Sequence, residues 1–249
     1  MGTVAAVSFR GGANPALADA VRAEYASAAA PLNAWDPGSE LSRLSSTNGW
    51  ERRVSPSARP CYAAAFSLMH ETEGAFNPLL AEKMRARGFT RKAALVDLGG
   101  IAKGFAVDCA FDRARGVSPC GCDWLLDLGG NLRAGRGDWR VGVRDPLGNG
   151  LCARAVLREG EAMATSGTYE RGKHILDGRT GLVVSNGVAS ASVIAPSAML
   201  ADALSTALFV MGPDEGGEFL RKRHADVAAL WVMEDGSTRR FDGAARFSP

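Results

Sequence analysis

The order of apolar and polar positions predicts a short strand over 4–9 and, after Asn14-Pro15, a helix over 16–29. Asn14 offers a side-chain cap, and Pro15 presets φ at the first helical position. Leu17, Val21, Tyr25 and Ala28 recur at helical spacing and form the buried stripe. The polar stretch 36–56 reads as loop. A second helix over 60–73 puts Cys61, Ala65, Leu68, Met69 and Thr72 on one face and stops at Gly74. Residues 95–98 read as a short buried strand running into Gly99-Gly100, and a helix follows over 102–115. Further strands are predicted over 124–128, 139–143, 153–157, 188–194 and 227–233. The last of these turns through Glu234-Asp235-Gly236 into 237–241. A helix over 199–211, with Leu200, Leu204, Leu208 and Met211 inward, ends at Gly212-Pro213, and a shorter one covers 215–224. Strands in runs, with helices that do not strictly alternate, give an α+β fold of mostly antiparallel sheets flanked by helices. No linker interrupts the pattern, so 1–249 reads as a single domain.

Composition narrows the function classes. The 249 residues carry 29 Lys plus Arg against 27 Asp plus Glu, a formal charge of +2, so the electrostatic footprint of a nucleic-acid binder is missing. Hydrophobic residues at 46% and charged residues at 22% are those of a folded globular chain. The five cysteines, Cys61, Cys109, Cys120, Cys122 and Cys152, are odd in number and lack CxxC spacing. Cys120-Gly-Cys122 could be a metal or redox pair, but reduced cytosolic thiols account for it more simply. No run approaches the roughly 20 apolar residues of a membrane span. The start of the chain has no basic region before a long apolar one, so the expected location is cytoplasmic, or periplasmic and membrane-associated if a leader has been removed.

Three places could carry chemistry. Asp97-Leu98-Gly99-Gly100, followed by a helix with Lys103 in its first turn, gathers backbone N–H groups, a positive helix end and a cation, the outline of a phosphate site. A Gly-Gly turn is also a cheap way to reverse a chain, and neither GxxxxGK[ST] nor GxGxxG is present. The same four residues recur as Asp127-Leu128-Gly129-Gly130. Asp202 and Thr206, four apart on a helix with Ser205 beside them, offer oxygen ligands that suit a hard cation such as Mg²⁺. An acidic residue favouring the helix dipole, with Thr206 bonding back to a carbonyl, would give the same spacing. His174 is the best placed of three histidines for a general base, and a structural hydrogen-bonding role is open to it as well.

Taken together these fragments resemble, in order, the ApbE family of FAD:protein FMN transferases. The first blocks are Met1-Gly2-Thr3, Ser39 to Leu44, Gly74-Ala75-Phe76-Asn77-Pro78 and Val96 to Asp108. Asp127 to Asn131, Thr165 to Arg171, His174-Ile175-Leu176-Asp177, Thr180-Gly181 and Ala201 to Thr206 complete the series. The resemblance implies a T-fold-like α+β architecture. It also implies an enzyme that moves FMN from FAD onto a threonine hydroxyl of an acceptor protein, with AMP leaving and Mg²⁺ required. By the same resemblance, the Gly100 carbonyl, Asp202, Ser205 and Thr206 correspond to the metal site. Asp97 and Lys103 correspond to flavin-nucleotide contacts, and Met1, Trp35, Ala75, Phe76, Asn77 and Leu176 to the FAD pocket. His174 corresponds to the histidine that helps deprotonate the incoming threonine. FAD hydrolysis to FMN and AMP, or flavin binding without turnover, are the alternatives.

The chain departs from the family pattern in four places. The segment 79–96 is short, Asn77 replaces an aspartate, Ser45 replaces an asparagine, and Gly178 stands where proline is common. The acceptor threonine is expected in a short loop of Asp, Ser, Gly and Ala. Asp235-Gly236-Ser237-Thr238 of this chain is more simply a hairpin turn.

Overall fold

A computed structural model describes residues 3–44, 48–88, 95–117, 122–168, 172, 174–241 and 246–248. Met1, Ser45, Cys120 and part of the short segment, 89–94, lie outside the described residues. In chain order, β1 (Ala5–Arg10) leads to α1 (Pro15–Ala29), α2 (Glu40–Arg43), α3 (Arg59–Glu71), α4 (Ala81–Ala86) and α5 (Ala102–Val117). Then come β2 (Asp123–Leu128), β3 (Asn131–Arg136), β4 (Trp139–Arg144), β5 (Leu151–Leu157) and β6 (Ala162–Gly167). After them follow β7 (Val188–Ala195), α6 (Ala198–Arg223), β8 (Ala228–Met233), β9 (Thr238–Phe241) and β10 (Phe247–Ser248).

The strands form a seven-stranded sheet, ordered β1-β2-β3-β6-β7-β8-β9, and a three-stranded sheet, β10-β5-β4. Every neighbouring pair is antiparallel. The fold is thus α+β, in three layers. One face of the large sheet packs on α1, α5 and α6, and the other on the small sheet. The period of two in β2 shows how one strand serves both faces. Trp124, Leu126 and Leu128 join the helical core, while Leu125 joins Trp139, Leu157 and Phe247 on the opposite side. All eight residues of β7 are buried, as expected for a strand covered on both faces.

Local chemistry explains where helices begin and bend. Asn14 Oδ1 accepts the Leu17 N–H at 3.0 Å, and α1 buries Leu17, Val21, Tyr25 and Ala28, the predicted stripe. The expected end of a helix at Gly212-Pro213 stands: α6 is two helices in line that meet at Gly212, whose φ of 73° leaves the helical region. Pro213 has no N–H to give the Phe209 carbonyl, and Asn186 Nδ2 fills the gap, donating to Phe209 and Val210 at 2.9 and 3.0 Å.

Two expectations are corrected. Residues 95–98 bury Val96 and Leu98 but join no sheet. Their backbone is tied instead by the Asp97 N–H to the Pro78 carbonyl at 2.7 Å. The polar stretch 36–56 is not all loop: Ser39 caps α2 by accepting the Ser42 N–H at 3.0 Å, and a single 3₁₀ turn covers Trp50–Arg52.

Candidate active site

The site forms where α5 and α6 cross. A Cβ on Gly104 would lie 2.2 Å from the Ala198 carbonyl oxygen, so glycine here lets the two backbones touch. Asp202 of α6 reaches the first turn of α5. Its Oδ2 accepts the Gly104 N–H at 3.0 Å, and its Oδ1 pairs with Lys103 Nζ at 3.0 Å. The carboxylate side chain is 5% exposed and the lysine 24%, so the pair stands at the edge of solvent. In return, Asp108 of α5 accepts the Ala198 and Met199 N–H groups at the start of α6, at 2.8 and 2.9 Å, and pairs with Arg133 at 2.6 Å. Burial pushes the Asp108 carboxyl above the ordinary aspartate value, against the pull of Arg133 and the two N–H donors.

One turn along α6, Thr206 faces Gly100. A Cβ there would be 2.8 Å from Thr206 Oγ1 and 3.2 Å from Phe76 Cε2, so only glycine allows this approach. Ser205 is fully buried and donates to the Asp202 carbonyl at 2.8 Å. Ser166 of β6 places its hydroxyl 2.8 Å from Ser205 Oγ and 3.1 Å from Thr206 Oγ1. Phe76, Gly100, Lys103, Asp202, Ser205 and Thr206 are therefore neighbours in space. The Gly100 carbonyl, a carboxylate and hydroxyls are oxygen donors only, which fits a small hard cation such as Mg²⁺. Among the described residues no three His, Cys, Asp or Glu side chains gather as a metal set.

Asp97 lies beside the same turn. Its Oδ1 accepts the Gly99 N–H at 2.7 Å, so one of the backbone donors expected to meet a phosphate is already used. Asp127 likewise accepts the Gly130 N–H at 2.8 Å, but Gly129 and Gly130 have φ of 59° and 84° in a hairpin, whereas Gly99 and Gly100 stay outside that region. The two copies of Asp-Leu-Gly-Gly thus serve different turns.

Ala75 and Phe76 are buried, 1% and 3% exposed, while the neighbouring Asn77 reaches across to a second loop. Asn77 Nδ2 donates to the Gly178 carbonyl at 2.9 Å and its Oδ1 accepts the Leu79 N–H at 2.8 Å. A Cβ on Gly178 would lie 2.0 Å from the Gly74 carbonyl oxygen and 2.5 Å from Asn77 Cβ. Two of the departures from the family pattern, Asn77 and Gly178, are therefore in contact. Leu176 is buried in the same hairpin and bridges to Val183. His174, at the foot of that hairpin, sets its Nδ1 2.9 Å from the Gly172 carbonyl. A carbonyl only accepts, so Nδ1 carries the hydrogen and the neutral ring keeps its lone pair on Nε2. Trp35, between α1 and α2, is 61% exposed.

Sequence reasoning gave no role to Ser166, Gly104 or Asp108. The sequence signal for Ser166 is its place in the Thr165 to Arg171 block; in the structure its phase in β6, two residues beyond Ala164 and four beyond Ala162, turns it toward the helical core. Among the described residues no helix is long and apolar enough to cross a membrane.

The ApbE family model matches residues 1–95 and 83–231. A FAD:protein FMN transferase of Rhodobacter capsulatus is 30% identical across 82% of this chain and 48% of its own length. One from Treponema pallidum is 35% identical across 59% of this chain and 46% of its own. The chain thus spans about half the length of the curated relatives it matches. The crystal structure of the ApbE protein from Thermotoga maritima aligns with a TM-score of 0.80 at 27% identity, covering 94% of this chain and 91% of that one. The flavin transferase ApbE from Vibrio cholerae shares the fold at a TM-score of 0.80 and 22% identity, covering 98% of this chain and 95% of that one. With oxygen donors gathered at the α5–α6 crossing, a matching family model and a shared fold, the chain belongs to the ApbE family.

Proposed function

We propose that this chain is a Mg²⁺-dependent transferase that moves FMN from FAD to a threonine hydroxyl of an acceptor protein and releases AMP. The observation that carries the reading is the meeting of Lys103, Asp202, Thr206 and the Gly100 turn at one helix crossing, in a family whose named relatives are FAD:protein FMN transferases. The Gly100 carbonyl, Asp202 and Thr206 would hold Mg²⁺, with Ser205 beside them. When bound, the cation neutralises pyrophosphate charge and polarises a phosphoryl oxygen.

The chain's own residues do the rest. Lys103, paired with Asp202 and partly exposed, offers its ammonium to the pyrophosphate. Asp97 shapes the Gly99-Gly100 turn against which the nucleotide lies, and Phe76 backs that turn from the core. Met1, Trp35, Ala75, Asn77 and Leu176 belong to the FAD-binding side of this reading. His174 Nε2 takes the proton of the acceptor threonine as its oxygen bonds to the FMN phosphorus. The bond from that phosphorus to the bridging oxygen breaks, and AMP leaves with the oxygen.

The test incubates the purified chain with FAD, with and without Mg²⁺, and a domain carrying an acceptor threonine, with AMP release and protein mass followed together. Mg²⁺-dependent AMP with FMN added to the acceptor is the expected result. AMP with free FMN alone would replace the reading by FAD hydrolysis, and intact bound FAD would replace it by flavin binding without turnover.

A further inference from the structure

Three hydroxyls and one carbonyl meet beside Gly100, and their protons can be counted. Each hydroxyl has a single proton to donate. Ser205 gives its proton to the Asp202 carbonyl at 2.8 Å. In the 2.8 Å contact between Ser166 and Ser205 the donor must then be Ser166. With its proton spent, Ser166 can only accept in its 3.1 Å contact with Thr206. The other acceptor within reach of Thr206, the Asp202 carbonyl, is farther away, at 3.4 Å against 3.1 Å for Ser166. The protons therefore run from Thr206 to Ser166, from Ser166 to Ser205, and from Ser205 to the Asp202 carbonyl.

This order decides what Thr206 can do. A hydroxyl that ligates a cation must present a lone pair and turn its proton elsewhere. Ser166 draws the Thr206 proton toward β6, leaving the lone pairs of Oγ1 uncommitted next to Gly100. The position of Ser166 is itself fixed by the sheet. It pairs with Ala191 in the register of β6 and β7, and β6 lies between β3 and β7. The small side chains of Ala162 and Ala164 on the same face let α6 approach closely enough for the hydroxyls to meet.

We propose that Ser166 is a positioning residue for the cation: by accepting the Thr206 proton it holds that hydroxyl as a lone-pair donor next to Gly100, one turn along α6 from Asp202. The inference rests on the cation reading of the preceding subsection and adds a residue that contributes no ligand atom of its own.

The test measures Mn²⁺ binding to the full chain by electron paramagnetic resonance, without FAD or acceptor, for the wild type, Ser166→Ala and Ser166→Thr. Ser166→Ala is expected to weaken Mn²⁺ binding by about tenfold, the scale seen when a group that orients a ligand is lost. The melting temperature should hold, and Ser166→Thr, which keeps the hydroxyl, should restore affinity. Unchanged affinity in Ser166→Ala, beside a wild type that binds, would overturn the role of Ser166 and leave the cation reading standing. Equal losses in both variants would make Ser166 a packing residue and overturn the role as well. A wild type that binds no Mn²⁺ or Mg²⁺ would overturn the cation reading and this inference with it.

Discussion

Asp108 and Asp202 bind α5 and α6 to each other reciprocally, Asp108 accepting two backbone N–H groups from the first turn of α6 and Asp202 one from the first turn of α5. First-turn N–H groups have no partner within their own helix, so each carboxylate fills a need that the fold creates. The consequence for the site is that Asp202 is oriented by the fold itself, before any ligand arrives.

The crossing depends on Gly104 having no side chain. In an isolated helix Gly104→Ala would be favourable by up to about 1 kcal/mol. Here the added methyl would meet the Ala198 carbonyl, and the resulting shift should cost about 1–3 kcal/mol net. Urea unfolding followed by circular dichroism should show a lower midpoint at unchanged helical content. An unchanged or higher midpoint would mean that the helices can part without loss, and that their contact does not hold Asp202 in place.

Much of this arrangement was legible in the sequence, and the gaps have physical reasons. The cap and stripe of α1 were read correctly because Asn14, Pro15 and the apolar spacing all agree. Strands β3 and β6 were missed because Asn131–Arg136 and Ala162–Gly167 are rich in small and polar residues, with little of the β-branched or aromatic pattern. In β6 the small Ala162 and Ala164 face the helical core and admit α6. The end of a helix at Gly212-Pro213 is legible because glycine and proline both break a helix, whereas the bonds from Asn186, far away in the chain, to the freed carbonyls are not. In the site, Asp202 and Thr206 could be paired by helical spacing. Ser166, which meets them only through tertiary packing, could not.

Acid should weaken the attachment of β10. Arg246 forks onto both oxygens of Glu161, one bond at 2.8 Å, and the Arg158 N–H adds another at 2.7 Å. Burial alone would raise the Glu161 carboxyl; the bonds from Arg246 and Arg158 and their charges outweigh it and hold the group below the usual glutamate value. A folded-state value below the unfolded one means stability that is present above the ordinary glutamate range and lost as pH falls through the folded value. Glu161→Gln should therefore lose less stability than the wild type between neutral pH and about pH 3. Parallel losses in urea midpoint would show that this pair is not a source of the acid sensitivity.

Asn77 is suited to its place by having both a donor and an acceptor. Asn77→Asp keeps the cap on Leu79 but points an acceptor at the Gly178 carbonyl, 2.9 Å from Nδ2 in the native protein. Two acceptors without a proton between them should cost about 1–3 kcal/mol locally. The hairpin bonds from the Asp177 N–H to the Leu182 carbonyl and from the Val184 N–H to the Ile175 carbonyl should then open more often. Hydrogen exchange at the Asp177 and Val184 amides is expected to accelerate, with amides of β7 unchanged. Protection equal to that of the wild type would show that Gly178 is held by packing against Gly74 alone.

Lys103 offers a prediction with two opposite signs. Its ammonium lies 3.0 Å from Asp202 Oδ1, so it offsets the carboxylate charge while standing close enough to solvent to meet a pyrophosphate. Lys103→Ala removes a positive charge from both partners. Binding of FAD should fall by about tenfold or more, the scale of one charge-assisted hydrogen bond, while riboflavin, with no phosphate, should bind nearly as before. Binding of Mn²⁺ should hold or tighten, because Asp202 keeps the Gly104 N–H and its negative charge is no longer offset. Flavin fluorescence titrations with FAD and with riboflavin, alongside Mn²⁺ titrations, separate the two effects. Equal losses for both flavins would place Lys103 away from the phosphates, and a fall in Mn²⁺ affinity would show that Lys103 holds Asp202 in position more than it competes for it.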